Sequence, residues 1–67
     1  MWVIKFENGG EPYWIADGHG DPARTLVKEN AKAFRYHKEA KAALWDVIKN
    51  NPHRYYGKPM EPVIERK

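Results

Sequence analysis

The chain has 67 residues, no cysteine and a formal net charge of +3 at pH 7. A chain of this length forms one domain and buries only about 60% of its unfolded surface, so its stability depends on a few large side chains. The missing cysteines exclude disulfides and thiolate-bound zinc, and no apolar run approaches the roughly 20 residues of a membrane-spanning helix.

Charge is unevenly distributed along the chain. Residues 1–22 carry one lysine against four acids, whereas residues 23–58 carry nine Lys or Arg against three acids. A basic second half suits a phosphate or an acidic protein face, and it equally suits a solvated helix face. Without a membrane segment or a basic leader before a long apolar run, we expect a soluble cytoplasmic protein with no membrane partner.

Two strands are predicted at the start of the chain. Trp2–Glu7 is aromatic and β-branched, with alternate side chains on one face, and residues 13–17 have similar character. The five residues between them contain Asn8-Gly9-Gly10, whose chemistry favours a turn. The pattern therefore predicts an antiparallel hairpin.

A third, shorter strand is predicted after the second turn cluster, at Thr25-Leu26-Val27. Residues 29–35 are ambiguous, because Asn30 disfavours a strand while the alanines and Phe34 resemble a connector that inserts one aromatic ring into the core. The turn residues 17–21 resemble the start of a calcium loop, but its twelfth position would be Lys28 where a bidentate glutamate is required. We therefore interpret this segment as a Gly-rich turn.

One helix is predicted from His37 to about Asn50. Apolar residues recur at helical spacing from Ala40 to Ile48, and Pro52 follows the last turn. The start is poorly capped, because Glu39 occupies the acidic position of a capping box while Tyr36 occupies the Ser/Thr position. Tyr36→Ser should raise stability by about 1 kcal/mol in this register.

Residues 52–67 read as an extended, proline-containing tail in which Val63-Ile64 can add an edge strand. The predicted fold is a single α+β domain over residues 1–67, in β-β-β-α order, with two to three antiparallel strands on one helix. Its predicted core is Ile4, Phe6, Ile15, Leu26, Phe34, Ala40, Leu44, Val47 and Ile48.

Catalytic chemistry is sparse in this sequence. Serine and cysteine are both missing, and no phosphate-binding loop or nucleotide fingerprint occurs. The three histidines stand apart from one another and from the usual metal-ligand spacings. We therefore predict no catalytic residue, no metal, no cofactor and no enzymatic activity.

A row of basic and aromatic residues is the one constellation that indicates binding. At 100° per residue, Lys38, Lys41, Trp45 and Lys49 share one side of the helix, and Arg54 and Tyr55 follow shortly after it. Such groups suit nucleic acid, through phosphate neutralisation and base stacking, or a protein partner, through an aromatic hot spot. A third interpretation is that Trp45 packs over the sheet edge, with the lysine stems along its ring.

The strands, the Gly-rich turn and the segment Ala31-x-x-Phe34-x-x-x-x-Glu39-Ala40-x-x-Ala43-Leu44 resemble short proteins encoded by phages and prophages. The pattern is also similar to the sheet-plus-helix arm-binding domain at the front of tyrosine-type phage integrases. That resemblance implies a helix packed on three strands, with the sheet face entering the DNA groove. On this chain it would implicate Lys5 or Arg24.

The leading functional prediction is a non-enzymatic binding or accessory protein of phage origin that acts through a protein or nucleic-acid partner. One alternative is a nucleic-acid-binding domain that uses the basic helix face. The other is a self-associating structural protein, joined through an outer strand or the tail.

Overall fold

The computed structural model describes residues 1–7, 11–18, 20, 23–50 and 61–67. These residues form an α+β fold, as predicted, with a helix at the predicted bounds. In chain order the elements are β1 (Trp2–Glu7), β2 (Tyr13–Ile15), β3 (Arg24–Thr25), a 3-10 turn (Lys28–Asn30), α1 (His37–Asn50) and β4 (Glu61–Arg66).

The four strands form one antiparallel sheet in the order β3-β2-β1-β4. β4 pairs with β1 along its whole length, from Arg66 opposite Trp2 to Glu61 opposite Glu7. The predicted edge strand at Val63-Ile64 is therefore confirmed, and it completes a strand-strand-strand-helix-strand order. β4 is an edge strand of the sheet, so the N–H that Pro62 lacks is not needed for a hydrogen bond to a further strand.

The core lies between the sheet and α1, because alternate residues of β1 point towards the helix. Ile4 and Phe6 are fully buried there, and the Phe6 ring stacks on the ring of Tyr13 with centroids 5.3 Å apart. Trp2 shares their face, as predicted. The helix-side cluster consists of Ile4, Phe6, Ile15 and Ala40, with Trp2, Tyr13, Phe34, Ala43, Leu44, Val47, Ile48 and Ile64 packed against it.

Leu26 is the one predicted core residue that this cluster lacks, and the prediction was wrong: the residue is 60% exposed. The third strand covers Arg24–Thr25, earlier than predicted, and ends because the hydroxyl of Thr25 accepts a hydrogen bond from the backbone N–H of Val27 at 3.1 Å. This local turn competes with the sheet ladder and leads into the 3-10 turn. Leu26 and Val27 therefore lie beyond the strand, on the surface.

Residues 29–35, the segment that was ambiguous in the sequence, extend the sheet beyond the end of β2. Lys32 donates its backbone N–H to the carbonyl of Ile15, and Phe34 exchanges two backbone hydrogen bonds of 2.7 Å with Trp2. Phe34 thus takes the place beside the start of β1 that the three-residue β2 is too short to reach. The predicted insertion of one aromatic ring into the core is confirmed.

The start of α1 contains half of a capping box. The backbone N–H of Tyr36 donates to the carboxylate of Glu39 at 3.1 Å, so the predicted register is confirmed. Tyr36 has no short side-chain acceptor for the other half of the motif. Its exposed ring instead lies beneath Arg35 and Lys38, whose cationic groups are 5.5 and 5.9 Å from the ring centroid.

Candidate binding surface

The outer side of α1 carries the predicted row of basic and aromatic residues. Lys38, Lys41, Trp45 and Lys49 are all exposed, whereas Ala40, on the opposite side, is fully buried. At a rise of 1.5 Å per residue, Lys41 and Lys49 lie about 6 Å along the axis on either side of Trp45. We call these four residues the lysine–tryptophan stripe.

The lysines of the stripe are not neutralised by the described residues. Lys38 lies over the ring of Tyr36, and Lys41 and Lys49 have no acidic partner in the described ranges. Three of the other basic residues in these ranges do find acids, whereas Arg24, Arg35, Arg66 and Lys67 do not. The pairs are Lys5 with Glu7, Lys28 with Glu65 and Lys32 with Asp17.

Trp45 differs from the other two tryptophans in its exposure. It is 58% exposed, whereas Trp2 and Trp14 are both partly buried. Trp2 packs edge-on against the ring of His37, at 5.0 Å between centroids, and lies beneath the guanidinium of Arg66. Much of the Trp45 ring is therefore open to a ligand.

A groove of about 420 Å³ runs beside the stripe, between α1 and β4. Trp45 forms part of its wall, so one side of the ring faces the groove. The remaining lining residues are mostly apolar: Leu44 and Ile48 from the helix, Pro62 and Ile64 from β4, with His37 and Lys41. The stripe thus joins a basic surface to an apolar groove.

A second cavity, of about 600 Å³, lies on the other flank of α1. Its lining combines Lys32 and Arg35 with Glu39 and Asp46, so charges of both signs face the same space. Glu39 is already engaged at the helix start. This cavity is a weaker candidate for an anionic ligand than the stripe.

The sheet face away from the helix holds a second tryptophan among charged groups. The indole N–H of Trp14 crosses β1 and donates to the carboxylate of Glu65 at 2.9 Å, and Lys28 approaches the same oxygen at 3.4 Å. The indole hydrogen bond, followed by Lys28, lowers the pKa of Glu65, although burial opposes the change. Val3 lies on this face of β1 and is fully buried, which we attribute to the Trp14 side chain crossing the strand.

Lys5 and Arg24, the residues that the integrase resemblance would implicate, lie on opposite faces of the sheet. Lys5 pairs with Glu7 and lies 5.8 Å from the Trp14 ring, on the face away from the helix. The hydrogen bond with Glu7 raises the pKa of Lys5. Arg24 lies over the ring of Tyr13, on the helix side. No joint basic surface therefore forms from these two residues.

Two predicted contact residues, Arg54 and Tyr55, lie outside the described residues. Within the described ranges, no group of three or more His, Cys, Asp or Glu side chains is placed to hold a metal ion. No helix in those ranges is both long and apolar enough to cross a membrane.

The helical wheel predicts the stripe but not the residues beside it. Pro62 and Ile64 join the groove only because β4 returns to pair with β1, which residue spacing along α1 does not reveal. Trp14 and Glu65 are 51 residues apart in sequence. The alternation in Tyr13-Trp14-Ile15 indicated that Trp14 points away from the core, but nothing local indicated its partner.

Comparison of the chain with models of known protein families, with curated proteins and with solved structures finds no match. A function for this chain is therefore inferred from its own surfaces.

Proposed function

We propose that this chain is a small non-enzymatic binding protein that acts through an anionic macromolecular partner, which it contacts with the lysine–tryptophan stripe. The single observation that carries the proposal is the exposure of Trp45 between lysines that have no acidic partner among the described residues. An exposed aromatic ring beside unpaired cations suits a binding surface better than it suits the stability of the free protein.

The electrostatics of the two sides of α1 support this assignment. The stripe side is basic, while Glu39 and Asp46 face the opposite flank, next to Lys32 and Arg35. Among the described residues of α1, the lysines without an acidic partner lie on the stripe side, so a partner of negative charge meets uncompensated charge there. Complementary charge raises the association rate and fixes orientation, while the apolar groove beside the stripe supplies area for burial.

A titration followed by ¹⁵N chemical shifts tests the proposal. Mixed-sequence DNA and poly-L-glutamate serve as defined anionic probes of two kinds. We expect at least one probe to shift amides of α1 near Lys41, Trp45 and Lys49, and the shifts to vanish in Lys41→Ala/Lys49→Ala.

Shifts centred instead on Lys5 and Trp14 would contradict the assignment, as would no response to either probe. Turnover of a substrate by the purified chain, abolished by one substitution, would overturn its non-enzymatic character. The cytoplasmic location and phage origin stay predictions.

Self-association through β4 is a second candidate function, and the backbone of β4 favours it. Lys67 donates its N–H to the carbonyl of Met1, so alternation directs the backbone groups of Ile64 and Arg66 away from β1. An outward-facing strand edge can pair with another chain. Pro62, which lacks an outward N–H, limits this pairing. Sedimentation that shows only monomer at high concentration would remove the candidate.

A further inference from the structure

We infer that the anionic partner of the stripe is single-stranded nucleic acid, with one base stacked on Trp45 and the phosphates on either side of that base contacted by Lys41 and Lys49. The inference rests on the proposed function and names its partner class. It uses the outer face of α1.

The order of the charged and aromatic groups along the helix is the first support for a single strand. Lys41, Trp45 and Lys49 follow one another at intervals of four residues, so a cation lies about 6 Å along the axis before and after the ring. A single strand presents the same alternation, because each base is flanked by the two phosphates of its own backbone. A strand that runs along α1 with one base on the ring therefore brings its two flanking phosphates between the lysines, within reach of their long flexible side chains.

The exposed ring favours a single strand over a duplex. Stacking on tryptophan needs a free base face, and in a duplex both faces of each base are covered by neighbouring bases. A duplex would use the lysines but leave Trp45, 58% exposed, without a planar partner. The ring thus adds affinity only where bases are unpaired.

The same argument separates nucleic acid from an acidic polypeptide. Carboxylates can pair with Lys38, Lys41 and Lys49, but aspartate and glutamate present no flat aromatic surface to the ring. Stacking on a base is worth a substantial part of the binding free energy and tolerates any sequence. The stripe therefore fits a strand of mixed sequence better than it fits an acidic peptide.

Fluorescence anisotropy of a labelled oligothymidine of about 12 nucleotides tests the inference, with a duplex of equal length and poly-L-glutamate as competitors. We expect Trp45→Ala to weaken oligothymidine binding about 5- to 150-fold, the range that loss of one stacked base implies. Trp45→Phe should recover part of the loss, because it keeps an aromatic face. The duplex should compete less well than the single strand.

Salt dependence measures the phosphate contacts separately. With Lys38 contacting a third phosphate beside those of Lys41 and Lys49, we expect a slope of log affinity against log salt of about −2, or roughly a 20-fold loss between 50 and 200 mM salt. Lys41→Ala/Lys49→Ala should reduce that slope to about −0.7. Lys28→Ala/Lys32→Ala removes the same charge away from the stripe and should leave the slope near −2.

The possible outcomes separate the inference from the proposed function. Binding of poly-L-glutamate at the stripe without oligothymidine binding would overturn the inference and leave the function standing. If the duplex binds as tightly as the single strand and Trp45→Ala does not weaken that binding, the inference is overturned but the proposed function still stands. Equal losses in the two double-lysine variants would show that net charge alone governs binding, and would overturn both. No binding of either nucleic acid would also overturn the inference.

Discussion

The two sides of this small fold each hold a tryptophan among lysines, and they use the same residue types differently. On the sheet face away from the helix, Trp14 donates to Glu65, and Lys5 and Lys28 each have an acidic partner. On the outer face of α1, Trp45 is 58% exposed, and its neighbouring lysines have no acidic partner among the described residues.

The difference lies in where the acids are. Glu65 reaches Trp14 because β4 pairs with β1 and brings a carboxylate to the sheet face. The acids of α1, Glu39 and Asp46, are turned to the flank opposite the stripe. A tryptophan with its own hydrogen-bond partner contributes to the folded state, whereas an exposed one beside unpaired cations is available to another molecule.

The largest expected effect comes from making the same substitution on both faces. Trp14→Ala should lower the free energy of unfolding by about 2–3 kcal/mol, because it uncovers Val3 and removes the hydrogen bond to Glu65. Trp45→Ala should lower it by less than about 1 kcal/mol, since most of that residue is already in solvent. Urea denaturation of both variants measures the contrast.

Trp14→Phe provides the matched control, because it keeps most of the apolar cover while removing the indole N–H. Its loss of stability should fall between those of the wild type and Trp14→Ala. Equal losses for Trp14→Ala and Trp45→Ala would contradict the structural distinction between the two faces.

A smaller effect is expected from Glu65→Gln, which removes the charge that Trp14 and Lys28 stabilise. At pH 7 the variant should lose about 1 kcal/mol, because a neutral amide oxygen is a weaker acceptor than a carboxylate. The environment of Glu65 lowers its pKa in the folded state. The stability that the charge of Glu65 adds to the folded state is therefore complete above the unfolded pKa of about 4.3. It is lost as the pH falls through the lower folded pKa.

Denaturation curves between pH 7 and pH 2 test this linkage. The wild type should lose its advantage over Glu65→Gln as the solution becomes acidic, so the two curves should converge at the lowest pH. A constant difference across the whole range would mean that the charge of Glu65 does not contribute in this way.

Tyr36→Ser tests two contributions at the start of α1, the helix cap and the contact of the Tyr36 ring with its neighbouring cations. The hydroxyl should supply the missing half of the capping box, worth about 1 kcal/mol, while loss of the ring beneath Arg35 and Lys38 removes about 0.5 kcal/mol. The net gain should be about 0.5 kcal/mol. Tyr36→Ala loses the ring without gaining the cap, so the difference between the two variants in thermal denaturation isolates the cap.

Local patterns predicted most of this architecture. The helix bounds follow from apolar spacing and Pro52, the face of Ile4 and Phe6 follows from alternation, and the stripe follows from the helical wheel. Leu26 was misassigned because its apolar character favoured a strand that the Thr25 hydroxyl terminates. The groove could not be predicted, because it depends on β4 pairing with β1 across most of the chain.

The smallest expected effect concerns the stability of the stripe itself. Lys41→Ala/Lys49→Ala should change the free energy of unfolding by less than about 0.5 kcal/mol, since neither lysine has an acidic partner among the described residues and alanine favours the helix. Thermal denaturation at low and high salt measures this change in stability. The matched variant is Lys28→Ala/Lys32→Ala, which removes two ion pairs. A loss larger than that of the matched variant would assign Lys41 and Lys49 a structural role, whereas an unchanged midpoint leaves them free to serve a partner.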